Sequence, residues 1–423
     1  MSDVTGKDHP SEEAATNAAS RELAGIRSEI DRTDDEILRL LNRRAGFVAR
    51  VAELKEEMKV PFYVPSRERQ IVERLSAANA GPFPTDAIRS VFQEVFSACL
   101  SLERTVKIAY LGPEGTFSHM AVKHQFGLSA RGVPMKTIGG VFEEVERGGA
   151  DLGVVPVENS TEGVIVPTLD SFVDSELKVS AEVILKISMC LLGHAGTDLD
   201  RIERVYSLPV AMAQCRKWLA THLPRATMVE SASTAEAARA AHGDVRGAAV
   251  ASEMAAKLYD LHVLKRNIED LSQNVTRFLV LGRQQPAPTG RDKTSVLLTT
   301  RDTPGILYRV LGAFAERGLN MTKIESRPSR RRAWEYVFSS TSTGTARTRR
   351  AAMRWPASAR SARPSRSSVP TRRPTRSRAG QRLGRVRTRA ASAPESSTRF
   401  APMTRSCRFA ARSPSYSPAP PSS

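Results

Sequence analysis

Apolar residues along the first hundred positions recur at steps of three and four, which is the spacing of amphipathic helices. The longest such run covers residues 23–54 and ends before Pro61. Two shorter runs follow at residues 66–79 and 85–103, with a Gly-Pro-Phe-Pro break between them. The pattern therefore predicts an all-α module over residues 20–105.

From Val106 the pattern changes to short runs rich in β-branched residues that alternate with helical stretches. This alternation predicts an α/β domain with a largely parallel sheet over residues 106–282. Residues 293–338 then carry the first half of a βαββαβ sandwich, a partial α+β domain whose last helix and strand are missing. The polar residues 1–19 and 339–423 contain too few aliphatic side chains to form a core, so we expect both to be disordered. The predicted fold class is multidomain.

Composition changes this picture mainly at the tail. The 423-residue chain is 40% hydrophobic, enough for two or three domains, and has a net charge of +18. Residues 339–423 hold 19 Arg, no Lys, no Asp and one Glu, so the tail carries the whole excess charge. An arginine-rich arm for nucleic acid is one interpretation, but the tail lacks the lysines and interleaved aromatic residues of such arms. We therefore do not expect nucleic acid as a partner.

The four cysteines lie far apart without a CxxC pair, and the seven histidines include no pair with metal-ligand spacing. We expect no disulfide scaffold, no metal site and no cofactor. No apolar run reaches the roughly 18 residues needed to cross a bilayer, and the N-terminal segment has no apolar core. These features predict a cytoplasmic protein that has no membrane partner.

Three basic residues of the predicted first helix are candidates to bind an anionic substrate. At about 1.5 Å per residue, Arg27 and Arg44 stand roughly 25 Å apart, too far to reach one small substrate in the same subunit. Arg44 and Lys55 are about 16 Å apart and nearly in phase, so their long side chains can bracket one dianion. Arg27 would have to serve the pocket of a partner.

The segment RSEIDRTDDEILRLLNRR, followed by Lys55 and SRERQIVERL, resembles the helical chorismate mutases over about residues 20–105. The resemblance implies an intertwined homodimer that converts chorismate to prephenate by electrostatic stabilisation, without a nucleophile. It assigns the substrate carboxylates and ether oxygen to Arg27 of the partner, Arg44 and Lys55, and neighbouring positions to Arg67 and Glu68.

Two residues depart from one version of this motif. Val64 stands where some members have Asp, and Glu103 stands where some have Gln. A glutamate donates to the ether oxygen only when it is protonated, so this reading predicts mutase activity that improves as pH falls.

Three segments of the α/β domain, GPEGTFSH, VVPVENSTEG and NVTRFLVLG, resemble prephenate dehydratase over about residues 106–282. In the first segment, backbone amides at a helix N-terminus are placed to hold an anion. The resemblance implies two α/β lobes around a cleft, similar to periplasmic binding proteins. It makes Thr276 the essential hydroxyl, which donates a proton to the leaving ring hydroxyl, and Arg277 the holder of a substrate carboxylate. The positions implied to line the cleft are Asn159, Ser207 and Gln214.

One departure bears on the dehydratase rate. The family commonly has Ser-His-Pro-Gln where this chain reads Ser-Leu-Pro-Val, so Leu208 and Val210 replace two polar side chains. Two alternatives therefore remain beside a bifunctional enzyme of phenylalanine biosynthesis. One is a mutase-only enzyme, and the other is a non-catalytic binder of carboxylates or amino acids with an inactive dehydratase module.

The segment after the linker resembles the first half of an ACT domain. The resemblance implies feedback inhibition by phenylalanine bound across a dimer interface. The matching positions are Gly305, Ile306, Leu307, Glu325, Ser326, Arg327 and Pro328. Because the pattern stops at Phe338, we hypothesise a frameshift near that codon. Resequencing that finds no alternate frame continuing the ACT pattern would contradict it.

Overall fold

The computed structural model describes residues 11–58, 63–103, 105–286, 292–300, 305–316, 318–328, 336–343 and 410–414. These residues belong to two compact units, Met1–Ala287 and Pro288–Ser423. None of the helices in the described ranges is long and apolar enough to cross a membrane.

Three helices form the N-terminal module: α1 (Ser11–Met58), α2 (Pro65–Ala78) and α3 (Thr85–Glu103). The predicted periodicity is confirmed, but α1 begins twelve residues before the apolar run. The expected disorder of residues 1–19 is therefore wrong for residues 11–19, and residues 1–10 lie outside the described part of the chain. Alanine and glutamate dominate the added turns, and both are strong helix formers.

The first lobe of the next module is a six-stranded sheet with the order β2-β1-β3-β11-β5, and β4 pairs with β3. Its strands are β1 (Lys107–Leu111), β2 (Arg131–Met135), β3 (Leu152–Asn159), β4 (Gly163–Val164), β5 (Lys178–Lys186) and β11 (Val275–Gly282). Its helices are α4 (Phe117–Phe126), α5 (Ile138–Glu146) and α6 (Val166–Asp174). One core, around Tyr110, Val122 and Phe278, packs α4 against this sheet.

The second lobe is a five-stranded sheet with the order β10-β6-β9-β7-β8. Its strands are β6 (Cys190–Gly193), β7 (Arg204–Ser207), β8 (Thr227–Glu230), β9 (Gly247–Ala251) and β10 (His262–Lys265). Its helices are α7 (Pro209–Gln214), α8 (Arg216–His222), α9 (Thr234–His242) and α10 (Glu253–Leu258), with a 3-10 turn at Leu199–Arg201.

The chain crosses between the lobes after β5 and again before β11. At this double crossing the backbone N–H of Ile187 donates to the carbonyl of Asn274 at 2.8 Å. The two-lobed α/β prediction is confirmed, but the sheets are mixed rather than largely parallel. Strands β11 and β6 run antiparallel to their neighbours because the chain enters and leaves each lobe at the crossing.

The second unit is a four-stranded antiparallel sheet with the order β13-β14-β12-β15. Its elements are β12 (Asp292–Thr300), α11 (Ile306–Ala315), β13 (Met321–Pro328), β14 (Tyr336–Thr343) and β15 (Ala410–Pro414). The side chain of Phe314 on α11 is buried in its core.

The second unit corrects two expectations. Strand β14 continues beyond Phe338, where Ser340 and Ser342 are buried, and β15 pairs with β12. The expected disorder of residues 339–423 is therefore wrong for 339–343 and 410–414, and residues 344–409 and 415–423 lie outside the described part. The sheet also has a fourth strand, β15, at its edge. Backbone hydrogen bonds hold this strand, and such bonds do not need aliphatic side chains.

Candidate active sites

The helical module gathers two cations around one carboxyl group. The half-buried guanidinium of Arg44 lies over the ring of Phe96 at 5.2 Å, and its Nη1 donates to Cys99 Sγ at 2.9 Å. Burial raises the pKa of Glu68 to about 7, although the charges of Arg44 and Lys55 act to lower it. Three of the predicted residues, Arg44, Lys55 and Glu68, therefore come together within one chain.

The other predicted mutase residues are exposed or have side chains outside the described residues. Arg67 is exposed on α2, and Arg27 is exposed on the N-terminal half of α1. Glu103 is the last residue of α3, and its side chain lies outside the described residues, so its predicted proton donation stays a prediction. Val64 precedes α2 and is exposed.

The exposed half of α1 presents an apolar stripe. Its large side chains, each between 38% and 53% exposed, are Leu23, Ile26, Ile30, Ile37 and Leu41. Within one chain, the described elements leave this stripe uncovered.

In the first lobe, Thr276 lies buried on β11 at the double crossing, paired with Asn159 of β3 and Leu185 of β5. The Nδ2 group of Asn159 donates to Thr276 Oγ1 and to Asn274 Oδ1, both at 2.8 Å. Its Oδ1 accepts from the backbone N–H groups of Thr161 and Glu162. The amide of Asn159 is therefore held at both ends, and it presents a donor to Thr276.

Gln214, at the end of α7 in the second lobe, completes the network. Asn274 Nδ2 donates to Gln214 Oε1 at 2.9 Å, and Gln214 Nε2 donates to Thr161 Oγ1 and Glu162 Oε1 at 3.2 and 3.1 Å. Asn274 is 1% exposed and was missed from the sequence. Its position two residues before Thr276 was an available signal, because alternate residues of an extended chain share one face.

Arg277 does not join this network. Neighbouring residues of a strand point to opposite faces, so Arg277 lies on the other face of β11 from Thr276. There it pairs with Glu158 at 3.2 Å and with the buried Glu182 at 2.7 Å. Two carboxylates of the protein therefore pair with its guanidinium in this chain, and the expectation that Arg277 holds a substrate carboxylate stays a prediction.

Ser207 also departs from its predicted place. It is fully buried at the end of β7, and its hydroxyl donates to the carbonyl of Val250 at 2.7 Å. It thus ties β7 to β9 and does not line an open cleft. The neighbouring Leu208 packs against the core of the second lobe, and Val210 is 44% exposed.

In the turn before α4, backbone amides that were predicted to bind an anion already make hydrogen bonds within the protein. The N–H of Gly115 donates to His119 Nδ1 at 3.2 Å, and the N–H of Gly112 donates to the carbonyl of Met135 at 2.9 Å. Thr116 caps α4 with its hydroxyl oxygen. At least two of the expected anion-binding amides are thus used by the protein itself.

Comparison with known proteins decides the family. The sequence matches the family models for chorismate mutase type II over residues 26–104, prephenate dehydratase over residues 108–286 and the ACT domain over residues 294–354. A bifunctional chorismate mutase/prephenate dehydratase of Aquifex aeolicus is 49% identical over 321 residues, covering 75% of this chain and 88% of that protein. The chain belongs to the bifunctional chorismate mutase/prephenate dehydratase family. It is an enzyme with both activities, which confirms the predicted pair and favours it over the mutase-only and binding-protein alternatives.

Two further relatives agree. The bifunctional chorismate mutase/prephenate dehydratase of Pseudomonas aeruginosa is 43% identical and covers 75% of this chain and 88% of its own length. The crystal structure of a prephenate dehydratase from Arthrobacter aurescens, in complex with L-Phe, is 36% identical. It covers 57% of this chain and 81% of its own length, with a TM-score of 0.54.

The predicted ligand positions of the ACT domain fall at two places. Gly305 caps α11 in the left-handed region at φ 75°, followed by Ile306 and the exposed Leu307. On β13 the exposed residues alternate with half-buried ones. The half-buried positions are Glu325 and Arg327, and the exposed ones are Ser326 and Pro328. Only alternate members of the Glu-Ser-Arg-Pro segment therefore face one side of the sheet.

Proposed function

We propose that Thr276 is the proton donor of the dehydratase reaction, in which prephenate becomes phenylpyruvate as a step of phenylalanine biosynthesis. The ring hydroxyl takes a proton and leaves as water, while the ring carboxylate leaves as carbon dioxide and its electron pair completes the aromatic ring. The protein must therefore supply a donor at the departing oxygen and a shielded place for the ring.

The hydrogen bond from Asn159 to Thr276 Oγ1 carries this proposal. A hydroxyl group has one hydrogen to donate, and its oxygen accepts. Because Asn159 fills an acceptor position of Thr276, the hydroxyl hydrogen remains available to a substrate. The site lies at the double crossing, where Phe117 and Leu185 border the cores of both lobes. Apolar surroundings strengthen such a donor.

Thr276→Ala tests the role. We expect the dehydratase kcat to fall by about 10²–10⁴-fold, as is usual when a positioned proton donor is removed. Phenylpyruvate appearance measures this loss, and chorismate consumption by the same chain should stay unchanged. Thr276→Ser keeps the hydroxyl and should retain most of the rate. The matched control is Thr221→Ala, at an exposed helix position. A near-normal dehydratase kcat in Thr276→Ala would contradict the proposal.

For the mutase reaction we propose a homodimer in which Arg27 of one copy completes the site of the other. Arg44, Lys55 and Glu68 form the part of the site that one chain supplies. Arg27 stands roughly 25 Å along α1 from Arg44, too far to reach the same substrate. The exposed apolar stripe on this half of α1 supports a second copy as its cover, because such a stripe is unfavourable in water.

We further propose that phenylalanine binds the ACT domain and inhibits the dehydratase. The match to the ACT family and the exposed Leu307 and Ser326 support this role. The test measures phenylpyruvate formation by the full chain against increasing phenylalanine, with tyrosine as the control ligand. Inhibition by phenylalanine alone is expected, and an unchanged rate would contradict the proposal.

A cytoplasmic location is also proposed. Cys99, Cys190 and Cys215 are buried free thiols, as expected for a protein of a reducing compartment.

A further inference from the structure

Asn274 lies between the two lobes, next to the proposed proton donor. We propose that Asn274 is a positioning residue of the dehydratase, which fixes the orientation of the Asn159 amide and links it to Gln214 of the second lobe. The inference rests on the proposed role of Thr276. Asn274 itself acts through Asn159, since its polar atoms bond to Asn159 and Gln214.

The direction of every hydrogen bond in this network is determined. An amide oxygen only accepts and an amide nitrogen only donates. Asn159 Oδ1 faces two backbone N–H groups, so Asn159 Nδ2 must face Thr276 and Asn274. Asn274 must then present its oxygen to Asn159 and its nitrogen to Gln214. Reversing the Asn274 amide would place two donors against each other.

In this orientation the side-chain amide of Asn274 has two functions, and no other member of the network has both. Its oxygen holds the Asn159 amide in the orientation that leaves the Thr276 hydrogen available. Its nitrogen bonds to Gln214, whose own nitrogen donates back to Thr161 in the first lobe. The two lobes must therefore be correctly positioned relative to each other for the Thr276 hydroxyl to point at the substrate. A misplacement of about 1 Å lowers the rate of a catalysed reaction by about a hundredfold.

Asn274→Asp in the full chain tests the proposal. An ionised aspartate can accept from Asn159 but cannot donate to Gln214, whereas a protonated aspartate does both. Near pH 8 we expect the dehydratase kcat to be about 10–100-fold below that of the wild type. It should recover reversibly toward about pH 5.5, with KM changing less than about threefold.

The charges around the introduced carboxyl group favour its protonated form. The titratable groups near this network are Glu162 after β3, Asp270 between β10 and β11, which accepts from the N–H of Lys217, and the exposed Lys186 at the end of β5. Two of the three are acidic, and burial acts in the same direction.

Asn267→Asp is the matched control, because it makes the same change at an exposed position of the same crossing segment. Its dehydratase profile should follow the wild type. A folded Asn274→Asp chain with normal kcat at every pH, or with an equal loss at every pH, would overturn the proposal. If Asn274→Asp fails to fold, by thermal unfolding, Asn274→Ser decides: a lowered kcat with a wild-type pH profile supports the proposal, and an unchanged kcat overturns it. Thr276→Ala separates the two claims. Normal activity in that variant would defeat the proposed donor and with it the inference, whereas lost activity in Thr276→Ala beside a normal Asn274→Asp chain would defeat only the role of Asn274.

Discussion

The helical module and the α/β module place their apolar surface differently. The α/β module buries large side chains within its own chain, among them Tyr110, Phe172 and Phe278, each less than 2% exposed. In the helical module, apolar residues such as Ile26 and Ile30 on the first half of α1 are 52% and 53% exposed. One module buries its core within the chain, and the other leaves a long face open.

The candidate sites follow the same division. The hydrogen bonds that surround Thr276 join Asn159, Asn274 and Gln214 of one chain into a closed network. The mutase cluster of Arg44, Lys55 and Glu68 belongs to one chain, and Arg27 stands roughly 25 Å along α1 from Arg44. On our proposals, the unit of function is one chain for dehydration and two chains for the rearrangement.

Complementation between two inactive variants tests the contrast between the two modules, and we expect it to give the largest effect. We expect Arg27→Ala and Arg44→Ala each to lower mutase kcat/KM by about 10²–10³-fold, because each removes a cation that stabilises the developing charge. A mixed population that has been unfolded and refolded together should regain about a quarter of the wild-type mutase rate, since half the dimers are mixed and carry one intact site.

Dehydratase activity is the control for that experiment, and it should stay near the wild-type level in both variants and in the mixture. Arg39→Ala offers a matched control on the same helix, because Arg39 is exposed and pairs only locally with Glu36 at 3.1 Å among the described contacts. No recovery in the refolded mixture would exclude a site shared between chains.

A smaller effect should separate the two candidate pH-dependent carboxyl groups of the mutase. With a pKa of about 7, Glu68 is half ionised near neutrality. The ionised form repels a dianionic substrate, so mutase kcat/KM should rise by up to about tenfold as pH falls from 8 to 6. In Glu68→Gln this rise should disappear, as measured by chorismate consumption over the same pH range.

Glu103→Gln is the companion variant. If the rise survives in Glu68→Gln but disappears in Glu103→Gln, Glu103 is the titrating group and our assignment is wrong. The dehydratase profile of the same chains serves as the reference, because Glu68 lies in the helical module.

Periodicity was sufficient to predict the helices, since their apolar faces repeat along the sequence. Thr276 was predicted from the resemblance of its motif to the family, not from periodicity. The ion pairs of Arg277 could not be predicted, because a motif gives the residue but not the strand face, and only the register of β11 with β3 and β5 brings Glu158 and Glu182 to it. Asn274 was missed for a related reason: its importance comes from a contact with Gln214, 60 positions away.

The tail illustrates a different limit. Its composition argued against a core, and that argument concerns side chains alone. Strand pairing satisfies backbone groups whatever the side chains are, so Ser340 and the segment 410–414 join the sheet without large aliphatic side chains.

The smallest expected effect tests whether the α/β module depends on its own chain alone. Asp244 bonds to Arg204 through both carboxylate oxygens and accepts from Tyr206, which holds its pKa well below the usual range. A depressed pKa stabilises the fold above the unfolded value near 4, and the stabilisation is lost as pH falls below it. Asp244→Asn should therefore lower the free energy of unfolding by about 1 kcal/mol at pH 7, after allowing for the partly exposed Arg204, and the difference should shrink as pH falls below about 4.

Thermal unfolding at two protein concentrations about a hundredfold apart measures this difference. It should be the same at both, because the bonded groups belong to one chain, whereas stability gained through association depends on concentration. Arg246→Gln removes a neighbouring, more exposed partner of Glu203 and should change stability by less than about 0.5 kcal/mol. If the Asp244→Asn difference grew on dilution, the α/β module would also rely on a second copy, and the contrast between the two modules would no longer hold.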